Sequence, residues 1–177
     1  KLGYSETPIG ALEEATGLKR VSIYNAFGDK EGLFLAALDH YHVAAKEIYE
    51  GVIAKGRLKE IQNLFTAMSA PADTDAPAHA GCLMVNTVLD VRRASEPVKA
   101  KINDYKSMLL TSFTSALENA RLSGEMECRD IERDQRADYL VALLWGALAM
   151  IRVEHRTTAA GSAARQGNLV IDSWKAL

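Results

Sequence analysis

Between positions 139 and 151 the apolar residues Tyr139, Leu140, Leu143, Leu144, Ala147, Leu148 and Ile151 recur three and four apart. That spacing marks one face of an α-helix; a strand would alternate its faces every second residue. The same rule governs Ile61, Leu64, Phe65 and Met68. It governs Ile102, Tyr105, Leu109, Phe113, Ala116, Leu117 and Ala120 as well. No alternating run of Val, Ile, Thr and aromatics occurs, and there is no Asn-Gly hairpin signal. The chain therefore reads as all-α.

Capping residues and breakers set the expected helix limits. Thr7-Pro8 reads as an N-cap followed by the first helical position of a short helix ending near residue 15. Gly17 supplies a turn before a second short helix over about 19–26. Gly28-Asp29 supplies another, with Asp29 capping a longer helix over about 30–55. The buried face of that long helix should be Leu33, Phe34, Ala37, Leu38, Tyr41 and Ala45. Further helices are expected over about 58–69, 80–94, 96–122, 130–156 and 162–176, the last with Leu169, Val170, Trp174 and Leu177 apolar. Residues 70–78, with two prolines and two aspartates, have a loop composition. Lys1 itself falls in helix-like sequence, so the first helix is expected to be truncated, which makes about nine helices in all.

Composition narrows the function. A chain of 177 residues, 48% hydrophobic, is long enough to bury a substantial core. Its net charge of -2 excludes a polycation, so any nucleic-acid site must be a local patch. Residues 1–57 carry seven Lys/Arg against eight Asp/Glu, so such a patch there needs its acids on the far face. Two cysteines, Cys82 and Cys128, are too few for a disulfide scaffold, and no apolar run approaches a membrane span. The expected location is the cytoplasm. The histidines are His40, His42, His79 and His155. There is no HExxH pair, phosphate-binding glycine loop or nucleophile elbow. Neither an enzyme nor a cofactor or metal is expected.

The most informative segment is residues 3–34, GYSETPIGALEEATGLKRVSIYNAFGDKEGLF. Two short helices joined by a tight turn have the layout of a helix-turn-helix, whose second helix enters the DNA major groove. Ile9, Leu12, Leu18, Ile23 and Phe27 should be its buried positions. Lys19, Arg20, Ser22 and Asn25 are donors of the kind that reach base edges and phosphates. Taken alone, Lys19 and Arg20 read better as a solvated helix start, and only the surrounding motif reverses that.

This segment closely resembles the TetR family of bacterial transcriptional repressors. The matching residues are Gly3-Tyr4, Ile9, Leu12, Gly17-Leu18, Ser22-Ile23-Tyr24, Phe27, Gly28-Asp29-Lys30 and Leu33-Phe34, without a gap. The resemblance implies a DNA-binding domain over residues 1–50 and a ligand-binding and dimerisation domain over 51–177. It implies that Lys19, Arg20 and Val21 open the recognition helix and that Ser22 reaches a base or a phosphate. Tyr24, Asn25, Lys30 and Thr7 would contact the backbone. The chain departs from the family pattern at Pro8, where Ser or Thr is usual, and at Glu13, where a small residue packs under the recognition helix.

The expected partners are double-stranded operator DNA, an unknown small-molecule inducer and a second copy of the chain. By resemblance, that copy would pack through the last two helices, where Gly146, Ala147 and Ala149 permit close approach. Phe65, Met68, Met84, Tyr105, Met108, Leu109, Phe113, Tyr139 and Trp145 are candidates for the ligand pocket, although each also reads as ordinary core. The run from His79 to Asn86 is similar to the Gly-Cys-Leu helix start of one branch of the family. It adds Cys82 and Asn86 to the candidates, with a reactive thiol and a packed one both open. The function so implied is a repressor released from its operator by a small molecule. The alternative is a helical small-molecule or redox sensor acting through a protein partner.

Overall fold

The computed structural model describes Tyr4 and residues 7–73, 76–88 and 95–176. These residues form eight α-helices: α1 (Ile9–Thr16), α2 (Arg20–Phe27), α3 (Lys30–Ile48), α4 (Leu58–Met68), α5 (Leu83–Val88), α6 (Glu96–Leu122), α7 (Asp130–Glu154) and α8 (Gly161–Asp172). The expected truncated helix before Thr7 lies largely outside the described residues, as does the 89–94 stretch. Among the described residues no helix is long and apolar enough to cross a membrane.

Pro8, not Thr7, occupies the N-cap of α1. Its extended backbone (φ -72, ψ 155) aims its carbonyl along the helix to accept from the Ala11 N–H at 3.1 Å. Asp29 caps α3 as expected, with Oδ1 accepting from the Gly32 N–H at 2.8 Å. Ser95 caps α6 by accepting from the Val98 N–H. The α4 and α7 starts are closed by Glu60 and Glu132, which accept from the Arg57 and Arg129 N–H groups at 2.7 and 2.9 Å.

The α6 stripe is the centre of the molecule. Every one of its expected core residues, from Ile102 to Ala120, is buried. Leu38 of α3, Leu58, Ile61 and Phe65 of α4, Met84 and Val85 of α5, and Leu140 and Leu144 of α7 pack into the same core. On α3 the expected face is met by Leu38 and Ala45, while Leu33, Phe34 and Tyr41 are half-buried and Ala37 is exposed. Gln62 fastens α8 to α4: its Nε2 donates to Asn168 O at 3.2 Å and to Asp172 Oδ1 at 2.9 Å.

The long helix expected to reach residue 55 changes character after Ile48. Residues Tyr49–Ile53 form a π-helical turn in which the Ala54 N–H donates to Tyr49 O, five residues back, at 2.8 Å. The sequence explains the wider turn. Tyr41, Ala45, Tyr49 and Ile53 come at every fourth residue, and an ideal helix of 3.6 residues per turn would rotate each about 40° past the last. The π turn takes up that drift and keeps Ala45, Tyr49 and Ile53 all buried. Asn119 of α6 pins the end of this stretch, its Nδ2 donating to Ala54 O at 3.1 Å and to Gly56 O at 3.0 Å.

The α6–α7 contact carries an ion-pair network. Glu118 accepts from Arg121 and from Arg133 Nη1. These bonds, Arg121's first and Arg133's second, hold the Glu118 carboxyl down from the ordinary 4.5 to about 2. A carboxyl lowered on folding contributes stability that is complete above its unfolded value and is lost as pH falls towards its folded one. Melting temperature measured from pH 5 to pH 2 should therefore fall less steeply in Glu118→Gln than in the unsubstituted chain.

Candidate functional site

The first site is the outer face of α2. Gly17 ends α1 in the left-handed conformation (φ 70), where a side chain would be strained, and its N–H donates to Glu13 O at 2.9 Å. Thr16 Oγ1 donates to Leu12 O at 2.6 Å and accepts from the Leu18 N–H at 3.3 Å. The chain then turns into α2, whose N-cap is Lys19. Gly28 (φ 81) ends α2, its N–H donating to Tyr24 O at 2.8 Å.

Ile23 is the buried anchor of α2 at 2% exposure. Ile9 and Leu12 are half-buried, but Leu18 and Phe27 are 49% and 38% exposed, which corrects the expectation that both are core. The two short helices α1 and α2 offer little depth against α3, and Ile23 takes the one fully buried place on α2. The turn residue Leu18 and the last residue of α2 lie at its rim.

Lys19, Arg20, Val21, Ser22 and Asn25 are all exposed. One turn apart, Arg20 and Tyr24 meet, with the guanidinium 5.0 Å from the centre of the half-buried ring. Lys30 opens α3 with its ammonium 4.6 Å from the centre of the Tyr4 ring. Tyr4 in turn packs on Phe34, ring centres 4.8 Å apart. Thr7 is half-buried just before α1. The acids do not all lie on the far face: the Glu13 carboxylate sits at the start of α2, accepting from the Arg20 N–H at 2.7 Å.

The second site is in the core where α3 meets α5 and α6. Cys82 is 1% exposed, with Sγ 3.8 Å from Tyr105 Oη. The Tyr41 hydroxyl is close enough to the Cys82 side chain and the Leu83 backbone for both to act on its proton. Around the Tyr105 ring stand His42, Tyr41 and Tyr49, at centre distances of 5.8, 6.3 and 6.3 Å. Burial, more than any neighbour, pushes the hydroxyls of Tyr41, Tyr49 and Tyr105 well above their ordinary value, so all three stay protonated and able to donate. Sequence reasoning placed Tyr105 and Cys82 among the candidates. It listed Tyr41 only as helix core and did not name Tyr49. Their eight-residue separation on one helix face was the available signal.

Phe65, Met84, Met108, Leu109 and Phe113 are buried in the same core, and Met68 and Trp145 pack partly buried against it. Asn86 is half-buried and donates from Nδ2 to Ala80 O at 3.0 Å. Tyr139 is not brought to this group. It is 37% exposed and packs edge-on to Trp174, ring centres 6.1 Å apart, because its position on α7 turns it towards α8. A surface cleft of about 400 Å³ lies near Trp174, against Arg136 and Ser173, and none of the expected pocket residues lines it. Among the described residues no three His, Cys, Asp or Glu side chains converge to hold a metal.

Comparison with known proteins gives the same architecture. The chain is 36% identical over 126 residues to the HTH-type transcriptional repressor ComR of Escherichia coli (strain K12), a match covering 70% of this chain and 60% of that protein. The chain thus spans less than two thirds of that relative's length. To the HTH-type transcriptional repressor DhaR of Mycobacterium sp. (strain GP1) it is 22% identical over 155 residues, 86% of this chain and 75% of that one. The TetR-family regulator of Cytophaga hutchinsonii superposes with a TM-score of 0.82 at 20% identity, covering 98% of this chain and 87% of that one. Escherichia coli NemR in its reduced form superposes with 0.74 at 20% identity, covering 98% and 88%. Residues 1–37 match the family model for bacterial regulatory proteins of the tetR family. Residues 54–166, more than half of the chain, match the tetracyclin repressor-like C-terminal domain, and the chain belongs to the TetR family.

Proposed function

We propose that this chain is a DNA-binding transcriptional repressor released from its operator by a small molecule. Residues 1–50 form the DNA-binding head and residues 51–177 the part that binds the inducer and a second copy of the chain. It acts in the cytoplasm, on double-stranded DNA. The observation that carries this reading is the course of α3 and its π extension. Lys30 opens this stretch just after α2, and Tyr49 and Ile53 end it in the core, Tyr49 against Tyr105 and Phe113.

The roles follow from placement. Arg20, Val21 and Ser22, with Lys19 at the cap, read the major groove. Asn25, Tyr24, Lys30 and Thr7 hold the phosphates. The inducer binds beside the hydroxyl and thiol group of Tyr41, Tyr49, Tyr105 and Cys82, with Phe65, Met84, Met108, Leu109 and Phe113 as apolar neighbours. Met68, Asn86 and Trp145 stand at its edge. Seating a ligand there displaces the Tyr41–Tyr49 face of α3. The tilt of α3 then changes the separation of the two heads in the dimer. A ligand shifts that equilibrium only as far as it favours the state that releases DNA.

Arg20 and Lys30 separate base reading from phosphate binding. On duplexes from the DNA upstream of its own gene, Lys30→Ala should weaken binding similarly for all sequences and lower the salt slope by about one per head. Arg20→Ala should cost about 1–3 kcal/mol on the preferred duplex and less on others. Anisotropy titrations at several salt concentrations make the comparison. Identical behaviour of the two variants would remove Arg20 from the base-reading set.

A further inference from the structure

The start of α2 lacks the usual means of closing a helix. The first N–H groups of any helix have no partner within it and are normally met by a Ser, Thr, Asp or Asn at the N-cap. Here the N-cap is Lys19, extended at φ -77 and ψ 148, and its side chain makes no capping bond. The acceptor comes from α1 instead: Glu13 Oε1 takes the Arg20 N–H at 2.7 Å, across seven residues. The backbone carbonyl of the same residue takes the Gly17 N–H at 2.9 Å. Glu13 thus closes the end of α1 with its main chain and the start of α2 with its side chain.

The Arg20 side chain is not what Glu13 holds. Its guanidinium lies along α2 over Tyr24. The carboxylate therefore acts on the backbone from which Arg20, Val21 and Ser22 project. It also places a negative charge at the positive end of the helix dipole.

We infer that Glu13 is a positioning residue for DNA reading: it substitutes for the missing N-cap side chain and fixes the first turn of α2, so that it sets sequence discrimination more than general affinity. This rests on the reading of α2 as the DNA-reading helix. Without the bond the first turn frays and the base-reading side chains lose their common frame, while Lys30 on α3 and Tyr24 in the second turn of α2 still hold phosphates.

The test uses the full chain and a duplex selected by it from a random-sequence pool, with a scrambled duplex as reference. Glu13→Ala should lower affinity for the selected duplex about five- to tenfold, the equivalent of one lost cap, and change the scrambled duplex little. Glu13→Gln keeps the acceptor and should keep the ratio between the two duplexes. Lys19→Ser added to Glu13→Ala supplies a conventional cap and should bring the ratio back to within about twofold. Equal losses on both duplexes in Glu13→Ala, or no recovery in the double variant, would overturn the proposal. Amide exchange decides the cap independently of DNA. The Arg20 N–H should exchange faster in Glu13→Ala, and Lys19→Ser, whose hydroxyl accepts from the N–H two or three residues on, should slow the Val21 or Ser22 N–H; unchanged exchange at Arg20 in Glu13→Ala overturns the cap. A chain that selects no duplex at all overturns the DNA-reading premise instead, while the exchange result still stands for or against the cap.

Discussion

Phe113→Ala is expected to lower the free energy of unfolding by about 3–5 kcal/mol, the cost of deleting a buried phenyl ring and leaving part of its cavity behind. Phe113 is fully buried on α6, and its ring stands at 74° to that of Tyr49, centres 6.4 Å apart. The surroundings are poorly placed to collapse. Asn119, six residues further along α6, ties that helix to Ala54 and Gly56 just beyond the π turn. Such a loss is a fifth or more of the stability of an ordinary domain. Urea unfolding should show a lower midpoint with an unchanged slope. Phe113→Leu, which keeps most of the volume, should lose much less. A shift below about 1 kcal/mol in the alanine variant would mean that α3 and α6 close the gap, and that Phe113 does not hold Tyr49 in place.

That interaction shows where sequence reading succeeds and where it stops. The α6 stripe was fully legible because a helix that packs one face into a core repeats its apolar residues at the helical spacing, and each repeat proved buried. The helix-turn-helix was legible because glycine at φ 70 and 81 and an Asp cap are local requirements, written in adjacent residues. The tyrosine and cysteine group was only half legible. Tyr41 and Tyr49 meet Tyr105 and Cys82 through packing between elements far apart in the chain, and nothing local to α3 announces its partners. The π turn was missed for a related reason. A spacing of four over three steps looks like an ordinary helix until the burial of Ile53 shows that the drift has been taken up. Glu13 stood out only as a departure from the family pattern, since its role depends on how the α1–α2 turn brings its carboxylate to a backbone N–H.

The proposed dimer governs the largest expected change in DNA binding. One face of α7, with Leu140, Leu144, Ala147 and Ile151, is in the core. Ala147 is therefore unavailable to a partner, contrary to its expected role in close approach. The opposite face carries Ala142, Gly146, Met150 and Val153, all exposed, and a side chain at Gly146 would meet nothing. Leu169 and Val170 of α8 are exposed as well, Leu169 at 60%. This supports a two-fold packing of α7 and α8 on their copies, with Gly146 at the closest approach. In such an interface each substitution is made twice about one axis, so Leu169→Glu buries two like charges. It should yield monomers at micromolar concentration in sedimentation velocity, with an unchanged melting profile below that range. Two heads must engage half-sites about 34 Å apart. Losing the link between them turns an intramolecular second contact into an independent one, and affinity for the full operator should fall about 10²–10⁴-fold. Leu122→Glu, at an exposed position near the end of α6, changes the charge equally and should alter neither assembly nor DNA binding. If Leu169→Glu stays dimeric, the two-fold face lies elsewhere and the separation of the heads is not set by α7 and α8.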